Sequence, residues 1–333
     1  MLKVRWKVVV GLLISAGFLL YALSQVDYPE VIKAFAQASY GWTIPMMITV
    51  IITMAIRAAR WRWLLSPIKS LRFNTLFSSV MIGFMANNLL PARIGEVVRA
   101  ISLSRKHSLS RSAVFATVVA ERVFDSLGLL FVFFLTLLAI DYPDDLKKAG
   151  LFALFLTFLL LIFLYLLKVK TDLAVKLIGD PIRLLSSKLS QKSESILRKF
   201  ADGLSILTSP GSVVIIFLYS VFLWVFTGCA GYLIFIAFGL YPSLWAAFIL
   251  LFVTVLAVSL PSSPGYIGTF HAACIIAFSL INSLGLFGQE VSNSVALSYS
   301  IILWSCQFFP ITVVGLYYLR KEHLSFHEIK HEE

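Results

Sequence analysis

Apolar runs of roughly helix-spanning length follow one another along nearly the whole chain, separated by short charged segments. They fall at 8–24, 42–58, 73–90, 112–140, 150–168, 212–238, 243–260, 265–283 and 292–319. A hydrocarbon core about 30 Å thick takes roughly 20 residues of helix to cross. The pattern therefore predicts an all-α polytopic membrane protein. Between 169 and 211 it changes: leucines and isoleucines recur at helical spacing among many charges, which predicts amphipathic helices on the membrane surface.

The charges between the runs assign sides, because cytoplasmic segments carry the excess of Lys and Arg. Lys3, Arg5 and Lys7 put the N-terminus inside. Lys33 against Asp27 and Glu30 puts 25–41 outside, and Arg57, Arg60, Arg62, Lys69 and Arg72 bring the chain inside again. The run 73–90 should then end outside. Yet Arg93, Arg99, Arg105, Lys106 and Arg111 follow it, with Glu96 as the single acid. The conflict disappears if 73–105 enters from the cytoplasm, breaks at Asn87-Asn88-Leu89-Leu90-Pro91 and returns to the same side. From there 112–140 runs outward to Asp141, Asp144 and Asp145, and 150–168 returns. The basic segment 169–211 is then cytoplasmic, 212–238 runs outward, and 292–319 ends inside beside Arg320 and Lys321. Between those last two, 243–260 and 265–283 form a second pair whose outer ends lack Lys and Arg, so it enters from the opposite face. The expectation is about 6–8 transmembrane helices with two oppositely oriented re-entrant or broken hairpins.

The two tips align as P-x-x-I-G, with Pro91, Ile94 and Gly95 matching Pro264, Ile267 and Gly268; Pro261 and Gly265 complete the second turn. Together with the opposite sidedness this reads as an inverted repeat, and interrupted segments at corresponding places in two halves point to a midplane substrate site. Proline ends one half-helix and glycine permits the turn. The next half-helix then starts with unpaired N–H groups and the positive end of its dipole, which favours an anion such as a phosphate. The plainer alternative makes both sequences ordinary turns or packing kinks; the polar residues crowded around the first tip are costly for a mere kink.

Ionisable side chains at membrane depth are the other signal. Arg93, Glu96 and Arg99 follow the first break, and Glu121, Arg122 and Asp125 lie inside the run 112–140. Glu121 is about ten residues in, roughly 15 Å at 1.5 Å per residue, which is near the bilayer centre. Glu121 and Asp125 share a helix face at i, i+4. A central charge costs about 2.5–3.5 kcal/mol, and pairing with Arg93 or Arg99 across helices would offset it. Two readings stand: a structural ion-pair network, or the same network with a basic residue on substrate phosphate and carboxylates that position it or exchange a proton. Arg57, Arg60, Trp61, Arg62 and Trp63 read as interface anchoring and snorkelling, with headgroup recruitment as the alternative. His271 reads as a hydrogen-bonded structural residue or a substrate contact. Asn87 and Asn88 would satisfy broken backbone or touch a headgroup.

Composition agrees with the pattern. Hydrophobic residues make up 59% and charged residues 14%, where a soluble chain carries about a quarter charged. The net charge of +11 sits mostly between apolar runs, so anionic headgroups rather than nucleic acid are the expected partner. Cys229, Cys274 and Cys306 lie in apolar runs without a CxxC partner, which indicates no disulfide framework or zinc site and predicts small buried hydrophobes. The basic N-terminus followed by 8–23 resembles a signal peptide with Ala22-Leu23-Ser24 as a passable cleavage site. Because similar runs follow, an uncleaved first span is expected.

The motifs occur in a fixed order: Asn88-Leu-Leu-Pro91-Ala-Arg93-Ile-Gly95-Glu96 with Arg99, then Glu121-Arg122-x-x-Asp125, then Leu260-Pro261-Ser-Ser-Pro264-Gly265-Tyr-Ile-Gly268. In that series the chain resembles the lysylphosphatidylglycerol synthase transmembrane, or flippase-like, family over about residues 8–320. The resemblance implies a bacterial or archaeal protein that moves lipids between leaflets, fused in bifunctional relatives to a soluble aminoacyl-transferase. Only a short charged tail follows Arg320, so a stand-alone member without tRNA-dependent transfer is expected. Many relatives carry an arginine in the last span, whereas the stretch from Ile301 to Gln307 has no charge; that arginine's role does not carry over.

The resulting expectation is a lipid translocase in the cell (inner or plasma) membrane, not an enzyme and without cofactor or metal, with both termini cytoplasmic. Its integral domain covers 1–319, with 169–211 as an amphipathic connector and 320–333 as a tail. Membrane lipids, a phospholipid or a polyprenyl-phosphate-linked lipid, are the expected substrate. Asn87, Asn88, Arg93, Glu96, Arg99, Glu121, Arg122, Asp125 and His271 would bind it. No Walker A pattern is present, so ATP does not drive transport through this chain; Glu96, Glu121 and Asp125 are candidate proton sites. The alternatives are a non-transporting partner of a separate lipid-modifying enzyme, or an intramembrane enzyme acting on lipid-linked phosphate.

Overall fold

A computed structural model describes residues 2–90, 94–259 and 262–322. The sequence-predicted tip residues Pro91, Arg93 and Pro261 lie outside the described residues, as does the tail beyond 322. The described residues are helical throughout, without a strand: α1 Leu2–Ser24, α2 Tyr28–Gln37, α3 Thr43–Leu65, α4 Phe73–Leu89, α5 Gly95–His107, α6 Arg111–Thr136, α7 Asp144–Val169, α8 Thr171–Leu185, α9 Ser187–Gly203, α10 Pro210–Ala237, α11 Leu244–Ser259, α12 Thr269–Ser283 and α13 Asn293–Lys321.

Helix boundaries follow local chemistry. Ser110 and Ser292 accept the Ala113 and Val295 N–H groups and so cap α6 and α13. Pro210 opens α10, where its missing N–H costs nothing. Among the described residues, five helical segments are long and apolar enough to cross a membrane, and six if the bent pair at α1 and α2 counts as one span. Those two helices meet at 87°, so the predicted outer loop contains a helix lying across the end of α1. α6 carries Glu121, Arg122 and Asp125 within its apolar run, yet its 26 residues reach about 39 Å at 1.5 Å per residue. Its carboxylates Glu121 and Asp125 are paired with arginines of neighbouring helices.

Contacts between helix ends sort them onto two faces. On one, Lys69 Nζ donates to the His107 carbonyl at 3.2 Å, Lys106 pairs with Glu322 at 2.7 Å, and Lys168 lies 3.8 Å from Asp202. The start of α4, the end of α5 and the end of α13 therefore share a basic face. On the other, the Asp27 N–H donates to Ser294 Oγ, the Ser39 N–H to the Ala237 carbonyl and the Ser243 N–H to the Leu286 carbonyl, at 2.7–3.0 Å. Hence α4 and α5 leave and re-enter the basic face, and α11 and α12 do the same on the opposite one. α1, α3, α6, α7, α10 and α13 run between the faces. This is the arrangement that the misplaced positive charges required.

Each hairpin is held by close backbone approach. A Cβ added to Gly95 would collide with the Gly83 carbonyl oxygen and Asn87 Oδ1, and one on Gly83 would lie 2.8 Å from Arg99 Cβ. Asn87 Oδ1 accepts the Gly95 N–H at 2.9 Å, so the amide satisfies the first donor of α5. The second tip turns through Gly265 at φ 67° and Gly268 at φ 88°, a region that only glycine enters cheaply. Its Ser263 N–H donates to Ser15 Oγ of α1 at 2.7 Å, and Trp304 Nε1 of α13 donates to the Gly265 carbonyl at 2.6 Å.

The connector folds as α8 and α9, joined by Arg198 to Asp172 at 2.8 Å, with Leu173, Leu177, Leu189 and Ile196 exposed. On the opposite face Lys147 donates to Asp141 at 2.6 Å and holds that carboxyl below its ordinary range. One cysteine departs from expectation: Cys274 and Cys306 are buried, but Cys229 is exposed on α10. The apolar run around it reported membrane burial and could not report which side of the helix faces protein.

Sidedness is directly testable. In a cysteine-free background, single cysteines at Lys69 and Lys106 should react with an impermeant thiol reagent from one side of the membrane, and those at Tyr241 and Ser283 from the other. Labelling of Lys69 and Lys106 positions from opposite sides would mean that α4 and α5 together cross the bilayer.

Candidate functional site

The i, i+4 spacing aims Glu121 and Asp125 from α6 at α3, and four guanidinium groups converge on them. Arg60 of α3 reaches both, at 3.0 Å to Glu121 Oε1 and 2.6 Å to Asp125 Oδ1, and donates to Ser220 Oγ of α10 at 2.7 Å. Arg57, one turn earlier, bonds Asp125 Oδ2 at 3.0 Å. Arg99 of α5 makes a two-point contact with Glu121. Arg122 approaches Asp125 at 3.2 Å and Glu96 at 3.1 Å. Arg60, Glu121 and Arg99 are almost fully enclosed.

Aromatic side chains wall the charges. The Arg99 guanidinium lies 4.1 Å above the Trp61 ring, and Arg57 sits over Phe84 and Trp224 at 5.1 and 5.6 Å. Trp61 Nε1 donates to Thr117 Oγ1, and Trp224 Nε1 to the Asp125 carbonyl. Ser220 reaches Arg60 because Gly128 lets α6 and α10 touch; a Cβ there would lie 2.8 Å from the Ser220 carbonyl carbon. A carboxylate offers about four acceptor sites, and Glu121 and Asp125 use theirs on several guanidinium groups each. The network opens at one edge, where the Arg122 and Glu96 side chains are 35% and 32% exposed.

That edge lies where the hairpins meet. Arg122 lies 5.8 Å from the Phe84 ring of α4, and Glu96 follows Gly95, whose N–H donates to Asn87 at the first tip. The Cβ position of Gly265 is 3.4 Å from the Asn88 carbonyl. The two tips are therefore in contact beside the charge cluster.

The sequence-predicted residues separate into groups. Glu96, Arg99, Glu121, Arg122 and Asp125 are brought together. Asn87 instead closes the first break, and Asn88 Nδ2 donates to the Phe308 carbonyl and Thr312 Oγ1 of α13 at 3.3 and 3.1 Å. His271 is buried beside Ser300 Oγ, with Nδ1 at 2.9 Å and Trp304 against its ring, and takes no part in the network. The expectation of free N–H groups at the first tip changes too, because Asn87 occupies the Gly95 donor and Glu96 fills the first turn of α5. Sequence reasoning missed Arg57, Arg60 and Trp61, assigned to interface anchoring; all three are buried, whereas Arg62 and Trp63 are exposed. Helical spacing was the available signal, since 57, 60, 61 and 64 share a face opposite 62 and 63.

A helical multi-pass fold with paired arginines and carboxylates enclosed at membrane depth defines a class of integral membrane protein with a polar intramembrane centre. The lysylphosphatidylglycerol synthase transmembrane-region model matches residues 8–315, and the chain belongs to that family. It is similar to a UPF0104 membrane protein of Methanocaldococcus jannaschii, with 26% identity over 298 residues, covering 85% of this chain and 88% of that one. A UPF0104 membrane protein of Methanothermobacter thermautotrophicus is 23% identical over 324 residues, covering 93% and 92%. A partial likeness, 28% over 145 residues, joins 42% of this chain to 23% of the glycosyltransferase AglD of Haloferax volcanii. The near-full-length relatives are named only as membrane proteins.

Proposed function

We propose that this chain is a lipid translocase, moving a phospholipid or a polyprenyl-phosphate-linked lipid between leaflets. The observation that carries this reading is the charged edge formed by Arg122 and Glu96 where the two oppositely oriented hairpin tips meet. Buried charges in a bilayer are expensive and by default functional, and paired broken segments are the usual place for a transported group. The headgroup would pass between the hairpins while its acyl or prenyl tails stay in the bilayer. Arg122 and Glu96 would meet it; Arg57, Arg60, Arg99, Glu121 and Asp125 would hold the polar centre open; Asn87, Asn88 and His271 would keep the helices in register.

The basic face belongs in the cytoplasm by the positive-inside rule. That puts both termini and the connector 169–211 there, in the cell membrane. Transport would be facilitated diffusion or ion coupling. The partial likeness to a glycosyltransferase supports a second reading, a membrane partner for a separately encoded enzyme acting on lipid-linked substrates.

Reconstitution decides between them. Vesicles containing the full chain should exchange fluorescent phospholipid or prenyl-phosphate lipid between leaflets well above the protein-free rate. Equal rates across a panel that includes the native lipid extract would remove the translocase reading. A lipid-modifying enzyme recovered with the protein in that case would favour the partner reading.

A further inference from the structure

Among the described residues the network holds more positive than negative charge: Arg57, Arg60, Arg99 and Arg122 converge on three carboxylates, Glu96, Glu121 and Asp125. The two inner carboxylates are committed to enclosed arginines: Asp125 to Arg57 and Arg60, and Glu121 to Arg60 and Arg99. Arg122 takes the remainder. It lies 3.2 Å from Asp125 and 3.7 Å from Glu121, both already shared. Its Nε is 3.1 Å from Glu96 Oε1 but makes no aligned hydrogen bond, although the atom is buried.

One guanidinium in excess of the carboxylates, about 11 residues into a membrane helix and roughly 16 Å deep, is costly unless an anion joins the cluster. Arg122 is also the only one of these four arginines with substantial exposure, the Arg57, Arg60 and Arg99 side chains being exposed by no more than 8%. The guanidinium fork matches phosphate oxygens in a two-point contact that an ammonium does not reproduce. The Phe84 ring, 5.8 Å from the guanidinium, offers an aromatic surface for packing.

We infer that Arg122 is the residue that grips a lipid bound at this network, and that the ligand is a phosphate group with net negative charge, an anionic phosphodiester or a phosphomonoester, rather than a zwitterionic headgroup. Glu96 is its internal competitor. It approaches Arg122 without a well-aligned bond, and it swings away when phosphate takes its place. A zwitterionic headgroup brings its own ammonium and leaves the charge excess uncorrected. The inference rests on the translocase reading only in taking this network as the lipid site.

Binding to the detergent-solubilised full chain tests it, with three probes: a short-chain phosphatidylglycerol, the matching phosphatidylcholine, and inorganic phosphate. Trp61 and Trp224 beside the arginines provide a fluorescence signal. Phosphatidylglycerol should bind about tenfold or more tighter than phosphatidylcholine, with Arg122→Gln erasing the difference. Glu96→Gln should tighten phosphatidylglycerol binding, an outcome that loss of a merely structural contact would not produce. Equal affinity for the two lipids, or weaker binding in Glu96→Gln, would overturn the inference. Inorganic phosphate binding as tightly as phosphatidylglycerol would overturn the lipid as the anion's source. Phosphatidylglycerol-selective binding without leaflet exchange would leave this inference standing and remove the translocase reading; exchange without headgroup preference would do the reverse.

Discussion

Glu121→Ala should destabilise the protein by roughly 3–5 kcal/mol, the cost of leaving a buried charge without its partner. Glu121 is fully enclosed and holds Arg60 at 3.0 Å and both Nη atoms of Arg99. Without it, Arg99 keeps, among the described residues, the Trp61 ring, and Arg60 keeps Asp125 and Ser220. Neither guanidinium can reach water without opening the contact of α6 with α3 and α5. Glu121→Gln tests the same point more gently, because the amide retains one acceptor oxygen and the volume but not the charge. Denaturant or thermal unfolding in detergent, followed by helix content, would report both. A loss below about 1 kcal/mol for Glu121→Ala would mean that water or lipid phosphate reaches these arginines, contrary to the enclosure described. Asp125→Ala should cost less than Glu121→Ala, since Arg57 and Arg122 lie nearer the open edge and Arg60 keeps Glu121.

Gly268→Ala is expected to be the second severe change, through two independent penalties. The residue sits at φ 88°, ψ −65°, where an L side chain carries strain of about 1–3 kcal/mol. Its Cβ would also collide with the Ser15 carbonyl oxygen of α1 and come within 3.2 Å of the Leu19 nitrogen. Both obstacles are backbone, which cannot rotate aside, and overpacking of this kind costs about 1–3 kcal/mol. Gly17→Ala on α1 supplies the control, since nothing lies within 4 Å of its Cβ position. A loss of roughly 2–6 kcal/mol in the first beside a near-neutral second would show that the second tip is locked onto α1. Equal behaviour in the two variants would show that the tip repacks freely.

Both variants touch places where the sequence was only partly readable. Gly268 was recognised as a turn residue from its Pro-Gly context, but its contact with Ser15 joins positions far apart in the chain. Glu121 was recognised as a buried charge from its distance into an apolar run. Its expected partners were Arg93 or Arg99; Arg99 does pair with it, Arg93 lies outside the described residues, and Arg60 was not foreseen. An arginine at the cytoplasmic end of an apolar run reads as snorkelling, because hydropathy records depth along the helix and not direction around it. Only α6 and α10 packing over that face of α3 turns Arg57 and Arg60 inward. The same blindness to direction explains Cys229. Asn87 and Asn88 were left between two roles because side-chain amides serve either, and the choice depends on whether a backbone donor or α13 lies within reach.

By itself, the sequence determined that the chain is helical and multi-pass, where its breaks fall, and that its two hairpins enter from opposite faces. A bilayer makes those properties one-dimensional: apolar length sets what crosses, and basic residues set which end stays behind. Which charges meet, and which of them stands at the open edge, is a three-dimensional matter. Five helices, α3, α4, α5, α6 and α10, must pack before Arg57, Arg60 and Arg99 close around Glu121 and Asp125 while Arg122 is left facing Glu96 and Phe84. Tertiary packing alone decided that, because a charge pair at membrane depth depends on helix rotation and separation, and neither leaves a periodic trace in a single helix.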